Sequence, residues 1–288
     1  MLNTLLELYK SLKNTSKLTN LSFRVIFLML IAILLQTCSK TKKVEPKVEI
    51  HPIYNPLEYE YSEIDTTFGN CDSAFCNQIV INYPVLKNDS LARIQQRIIV
   101  DLVYWKSETQ TDDASLSKLV AEQEEIYNEV IENDLSMGQN WYLNLAAHID
   151  YNNNGILSYT VTKDAFSGGA HPIYESILVS LFLEKELTPI NWADLFEEDR
   201  LVPLREYVKL HFFEFHGLDY SKPVNDQGFW FESGDFELNN NFSLQKDGIA
   251  ILYNHYEVAP YSTGPTSLFL PWADIRTWLK PEYQKMFK

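Results

Sequence analysis

Six histidines, at positions 51, 148, 171, 211, 216 and 255, are the side chains of this sequence best suited to move protons or bind a metal near neutral pH. His211 and His216 stand five residues apart in a helical run. At about 100° per residue they point roughly 140° apart around the axis, which is not the H-E-x-x-H arrangement that puts two imidazoles on one metal. His171 and His255 lie in or beside two irregular loops, and with Glu257 they form a candidate acid–base or metal cluster if the fold joins those loops. The plainer reading carries more weight: His171 bonds its own loop backbone and His255 lies on a half-exposed strand. Nucleophile elbow, phosphate loop and Ser/His/Asp patterns are absent. Asp164, Asp226 and Asp247 sit beside turns, where such residues commonly cap the backbone. No catalytic residue, metal ligand or cofactor is assigned.

The first loop, F-S-G-G-A-H-P over 166–172, offers Gly168, Gly169, Ala170 and His171 as binding candidates. Adjacent glycines open positive φ, and Pro172 biases His171 toward an extended backbone. The second, E-V-A-P-Y-S-T-G-P over 257–265, adds Glu257, Pro260, Tyr261 and Gly264, with Tyr256 just before it. Both loops read equally as tight structural turns or as a contact surface.

The elements that must position these loops follow from periodicity. Strands are expected at 77–86, 141–151, 156–166, 174–183, 236–244, 249–256 and 267–272. Helices are expected at 91–105, 115–133, 200–216 and 273–287, with a short helical turn within 187–199. Asn152–Gly155 is a strong hairpin signal, because Asn and Gly tolerate the left-handed region. The hairpin joins the two halves directly.

Residues 1–37 read as a lipoprotein signal peptide: a basic start, then an unbroken apolar run over 25–35, too short for a spanning helix of about 20 residues. Cys38 follows it as the expected lipidation site. An uncleaved signal anchor is the alternative, and either places the rest outside the cytoplasm. Residues 38–61, with Pro46, Pro52 and Pro56, read as an extended tether. The first 37 residues carry four basic side chains and one acidic, which leaves 20 Lys and Arg against 38 Asp and Glu, a net charge of −18. Such a surface excludes nucleic acid and draws cationic partners. Cys71 and Cys76 remain, and in an exported chain they most simply form a local disulfide.

Several motifs in order carry a resemblance: S-G-G-A-H-P, L-T-P-I-x-x-x-D-L-F, D-G-I-x-I-x-Y, Y-E-V-A-P-Y-S-x-G and L-P-W. Together they resemble the extracytoplasmic domain shared by the lysozyme-sensing anti-sigma factor RsiV and the front of the peptidoglycan deacetylase PdaC. The first half, with its strand, Y-P-x-L and helix, resembles the companion domain that precedes it there. The resemblance implies an α+β fold: antiparallel β-sheets with helices packed on them, in two closely joined subdomains, 62–150 and 151–288. It implies binding of lysozyme, although this sequence carries neither a sigma-binding region nor a deacetylase domain behind these motifs. The expected protein is a monomeric, lipid-anchored, periplasm-facing, non-catalytic binder of a cationic cell-wall-directed protein such as lysozyme, or a sensor of wall fragments. The alternative is a glycan-acting enzyme with a His171/Glu257 site.

Overall fold

Strand β1 (Tyr59–Gly69) begins inside the stretch read as tether, and it was invisible to periodicity because its apolar residues are sparse. It pairs antiparallel along its whole length with β2 (Cys76–Leu86). The computed structural model describes residues 56–72, 75–104, 115–133, 139–183 and 187–287. Cys38, His51, the signal segment and most of the tether therefore lie outside the described residues. Pro56 and Leu57 already belong to the fold: Leu57 and the Asn152 side-chain amide exchange two hydrogen bonds of 2.9 and 2.8 Å.

From β2 the chain passes through α1 (Asp89–Tyr104) and α2 (Leu116–Glu132) to β3 (Trp141–Asn153). Asn88 starts α1, its Oδ1 accepting from the Ser90 and Leu91 amides, and Ser115 caps α2 through Lys118 N–H. Two helices return the chain to the end where β2 began, so β3 runs parallel to β2. This one pairing departs from the all-antiparallel expectation. The turn at Asn154 and Gly155, both at positive φ (53° and 76°), then folds β4 (Ile156–Phe166) onto β3. β5 (Ile173–Phe182) and the two-residue β6 (Thr188–Pro189) complete a six-stranded sheet in sequential order.

The second layer follows a short helix α3 (Trp192–Leu195) and the long α4 (Leu201–His216), which ends on Gly217 in the left-handed region. Strands β7 (Phe242–Leu244), β8 (Gly248–Tyr253) and β9 (Thr266–Pro271) make a three-stranded antiparallel sheet. The expected strand over 236–244 shrinks to β7, since Asn239, Asn240 and Asn241 are poor strand formers and two of them bond elsewhere. The expected helix over 273–287 breaks into α5 (Trp272–Ile275), a 3-10 turn and α6 (Pro281–Gln284). Pro281 has no N–H to donate and holds Lys280 extended.

Two cores result. Ile79, Ile81, Leu145, Leu157 and Tyr159 of the large sheet pack under Ile99 and Leu119 of α1 and α2. The other core gathers Val208 and Phe212 of α4 with Phe236, Phe242, Ile251, Tyr253 and Trp272. The first core draws on residues from both sides of position 150. Between the sheets runs a polar seam: Ser158 Oγ meets Ser180 Oγ at 2.8 Å, and Ser180 Oγ accepts from Leu244 N–H at 2.8 Å. A bulge in β3 at Asp150 turns that carboxylate into the same seam, where Thr160 donates to it at 2.7 Å. Burial pushes the Asp150 carboxyl above its usual range.

Candidate functional site

The two loops singled out by sequence meet in space. Loop one (167–172) links β4 to β5, with Gly168 and Gly169 at φ 95° and 104°. Loop two (254–265) links β8 to β9. They are brought together because β5 has an outer edge that β6 covers only at Leu181 and Phe182. Farther along that edge, side-chain amides take the place of a strand. Asn254 Oδ1 accepts from Ser176 N–H at 2.8 Å and its Nδ2 donates to the Ser176 carbonyl at 2.9 Å. Asn241 Oδ1 likewise accepts from Leu178 N–H at 2.7 Å. Buried backbone groups must be paired, and these asparagines pair them. Sequence reasoning missed Asn239, Asn241 and Asn254. The run of three asparagines inside an apparent strand was the available signal.

Anchored at Asn254, loop two presents its aromatic residues to loop one. The Tyr261 ring lies between two imidazoles, 4.6 Å from His171 and 4.5 Å from His255, nearly parallel to both. Tyr256 flanks the stack, 5.5 Å from Tyr261 between ring centres. His171 Nδ1 sits 2.9 Å from the Pro172 carbonyl, so it carries the proton, and Nε2 is left to accept a long 3.5 Å contact from the Tyr256 hydroxyl. Tyr256 is 56 % exposed and Tyr261 38 %. Trp230, 44 % exposed, is tied to the same loop through its N–H to the Val258 carbonyl. Ala170 is exposed at the tip of loop one.

Glu257 does not face this cluster. One carboxylate oxygen accepts from Asn254 N–H at 2.8 Å and the other from Asn239 Nδ2 at 2.7 Å. Burial raises its pKa and these two bonds oppose the rise. Its place is inside the turn, holding Asn254 against β5. Pro260 and Gly264 shape the 3-10 turn that carries Tyr261: the Pro260 carbonyl accepts from Thr263 N–H, and Gly264 sits at φ 77°.

The other histidines stand apart. His216 Nε2 is 2.7 Å from Thr266 Oγ1 at the foot of β9, with its pKa lowered by burial. His211 pairs with Glu214 at 3.7 Å, and His148 packs near Tyr61. Among the described residues no three His, Cys, Asp or Glu side chains are grouped to hold a metal ion. At the same end of the strands as loop one, but on the β1–β2 side of the sheet, Cys71 and Cys76 are joined by a disulfide. Asn140 spans it, donating to the Cys71 carbonyl and accepting from Cys76 N–H.

Fold and loops define a mixed α+β protein in which a six-stranded and a three-stranded sheet carry an exposed aromatic patch on their joined edges. Residues 71–174 match the family model described as Deacetylase PdaC, and residues 193–273 match the model described as a protein of unknown function, DUF3298. The PdaC match runs through the β3–β4 hairpin to the start of β5. A crystal structure of a DUF3298 family member from Bacteroides fragilis is 21% identical, with a TM-score of 0.59, over 80% of this chain and 97% of that one. A DUF3298 family protein from Pseudomonas aeruginosa is 17% identical, with a TM-score of 0.58, over 79% of this chain and 96% of that one. At these identities the likeness establishes a shared fold. No curated protein matches the chain. Among the described residues no helix is long and apolar enough to cross a membrane.

Proposed function

We propose that this chain is an envelope-anchored, non-catalytic binding lipoprotein, held by lipid on Cys38 and facing the periplasm. Its two-loop aromatic patch grips a cationic cell-wall-directed protein such as lysozyme. The observation that carries this reading is Tyr256, which is 56 % exposed and sits at φ 62°. A bulky residue in the left-handed region is strained, and its exposure means that core packing does not compensate. Exposed Tyr and Trp rings are the usual anchors of protein interfaces. The charge of −18 over residues 38–288 supplies steering toward a basic partner. The motif resemblance to RsiV points the same way. The glycan-acting alternative required His171 and Glu257 to work as a pair, and Glu257 is committed to Asn254 and Asn239.

The test is calorimetry of the compact unit, residues 49–288, against lysozymes of different types at two salt concentrations. Submicromolar binding that weakens with salt, blocks muramidase activity and is lost in Tyr256→Ala is the expected result. Absence of heat with every lysozyme, with the variant and wild type alike, overturns the lysozyme reading.

A further inference from the structure

Between α2 and the end of the large sheet where β2, β3 and β5 begin and β4 ends lies a cavity of about 340 Å³. That is at the lower end of the range of about 300–1,000 Å³ for small-molecule sites. Leu119 and Ile126 of α2 roof it, Trp141 walls it, and Asn77 and Lys163 supply polar groups. On β2 the residues facing the helices are Ile79 and Ile81, both fully buried, and Asn77 takes the same face two positions earlier. It is 2 % exposed, and among the described residues its Nδ2 has no hydrogen-bond partner. Elsewhere in this fold the buried Asn254 and the half-buried Asn241 complete their bonds. A buried donor left without an acceptor is costly, and a ligand acceptor is what would satisfy it.

Lys163 projects from β4 into the same cavity, about one quarter exposed. Its ion pair with Glu175 is long, at 3.9 Å, and leaves room for a second anion. Gln123 and Ser167 also line the cavity and can donate or accept, while the unpartnered Asn77 amide and the Lys163 ammonium bring donors only, which favours an anionic, accepting head group. The walls match a flat apolar body. We propose that this cavity is a binding site for a small aromatic carboxylate, its ring between Trp141 and the α2 side chains and its oxygens toward Lys163 and Asn77. The cavity borders loop one through Ser167, but His171, Tyr256 and Tyr261 are not among its lining residues.

The test titrates the full-length protein calorimetrically with three probes of one shape: 2-naphthoate, 2-naphthylmethanol and 2-naphthylmethylammonium. Saturable binding of the carboxylate, at least tenfold tighter than the alcohol and with no binding of the ammonium, is expected. Lys163→Met should weaken naphthoate at least tenfold. Asn77→Leu should weaken it too while leaving the melting temperature unchanged or higher, because the orphaned donor is gone. Equal affinity for carboxylate and alcohol, or no saturable binding below about 5 mM, overturns the proposal. So does an Asn77→Leu protein that melts markedly earlier yet binds naphthoate as before, since Asn77 would then serve the fold alone.

Discussion

Tyr256 holds its hydroxyl 3.5 Å from His171 Nε2 from a backbone at φ 62°, so one of the contacts between the two loops, beside the Tyr261–His171 stack, is made by a strained residue. Relieving that strain should stabilise the fold and weaken recognition together. Tyr256→Asn, which tolerates the left-handed region, is expected to raise unfolding free energy by up to about 1 kcal/mol. Urea melts measure the gain, and calorimetry against the partner measures the loss. A variant less stable than wild type would show that the Tyr256 ring holds the loops for the fold's sake.

Asn254 carries the opposite expectation. Replacing it with Leu removes the acceptor for Ser176 N–H, while the Ser176 carbonyl keeps its bond from Asn241 at 3.1 Å. One buried donor is orphaned, at a cost of about 1–3 kcal/mol. Hydrogen exchange should report faster exchange at Ser176 in particular. An unchanged Ser176 amide would mean that another group covers the β5 edge.

Asp150 sets a pH dependence. Its folded-state pKa lies above the ordinary 3.8, chiefly through burial, so the native protein takes up a proton before the unfolded chain does as pH falls. Its contribution is therefore most favourable below 3.8 and declines as pH rises through the raised value. Asp150→Asn cannot ionise. The stability of wild type relative to Asp150→Asn should fall from acid toward neutral pH in paired denaturant titrations. A difference that is flat or rises across that range contradicts the assigned burial.

The disulfide is expected to matter little. Cys71 and Cys76 close a loop five residues apart in sequence, worth about 2 kcal/mol by loop entropy. Asn140 binds the backbone of both cysteines and should keep the loop near its place after reduction. A Cys71→Ser, Cys76→Ser protein should unfold cooperatively, with its denaturation midpoint only modestly lowered. Loss of the cooperative transition would show that the crosslink is essential to β1–β2 pairing.

Much of the architecture was readable one element at a time. Helices α1, α2 and α4 and strands β2 to β5 follow from spacing of apolar residues and from Asn88, Ser115 and the Asn154–Gly155 turn, because caps and periodicity act within a few residues. β1 escaped since its apolar residues are few, and it is defined by the β2 edge it covers. The closing helix was overestimated because apolar periodicity continued past Pro281, where backbone chemistry forbids a continuous helix.

For the loops, the sequence alone determined their irregular backbone: the glycines and prolines that shape 167–172 and 257–265 are local facts. Their meeting was decided by tertiary structure. His171 and Tyr261 are 90 positions apart and touch because Asn254 and Asn241 dock loop two and β7 on the unpaired edge of β5. The same docking turned Glu257 inward, away from the role its charge suggested. Side-chain amides that substitute for a strand leave no periodic trace, so only the folded chain reveals which asparagine faces which open backbone group.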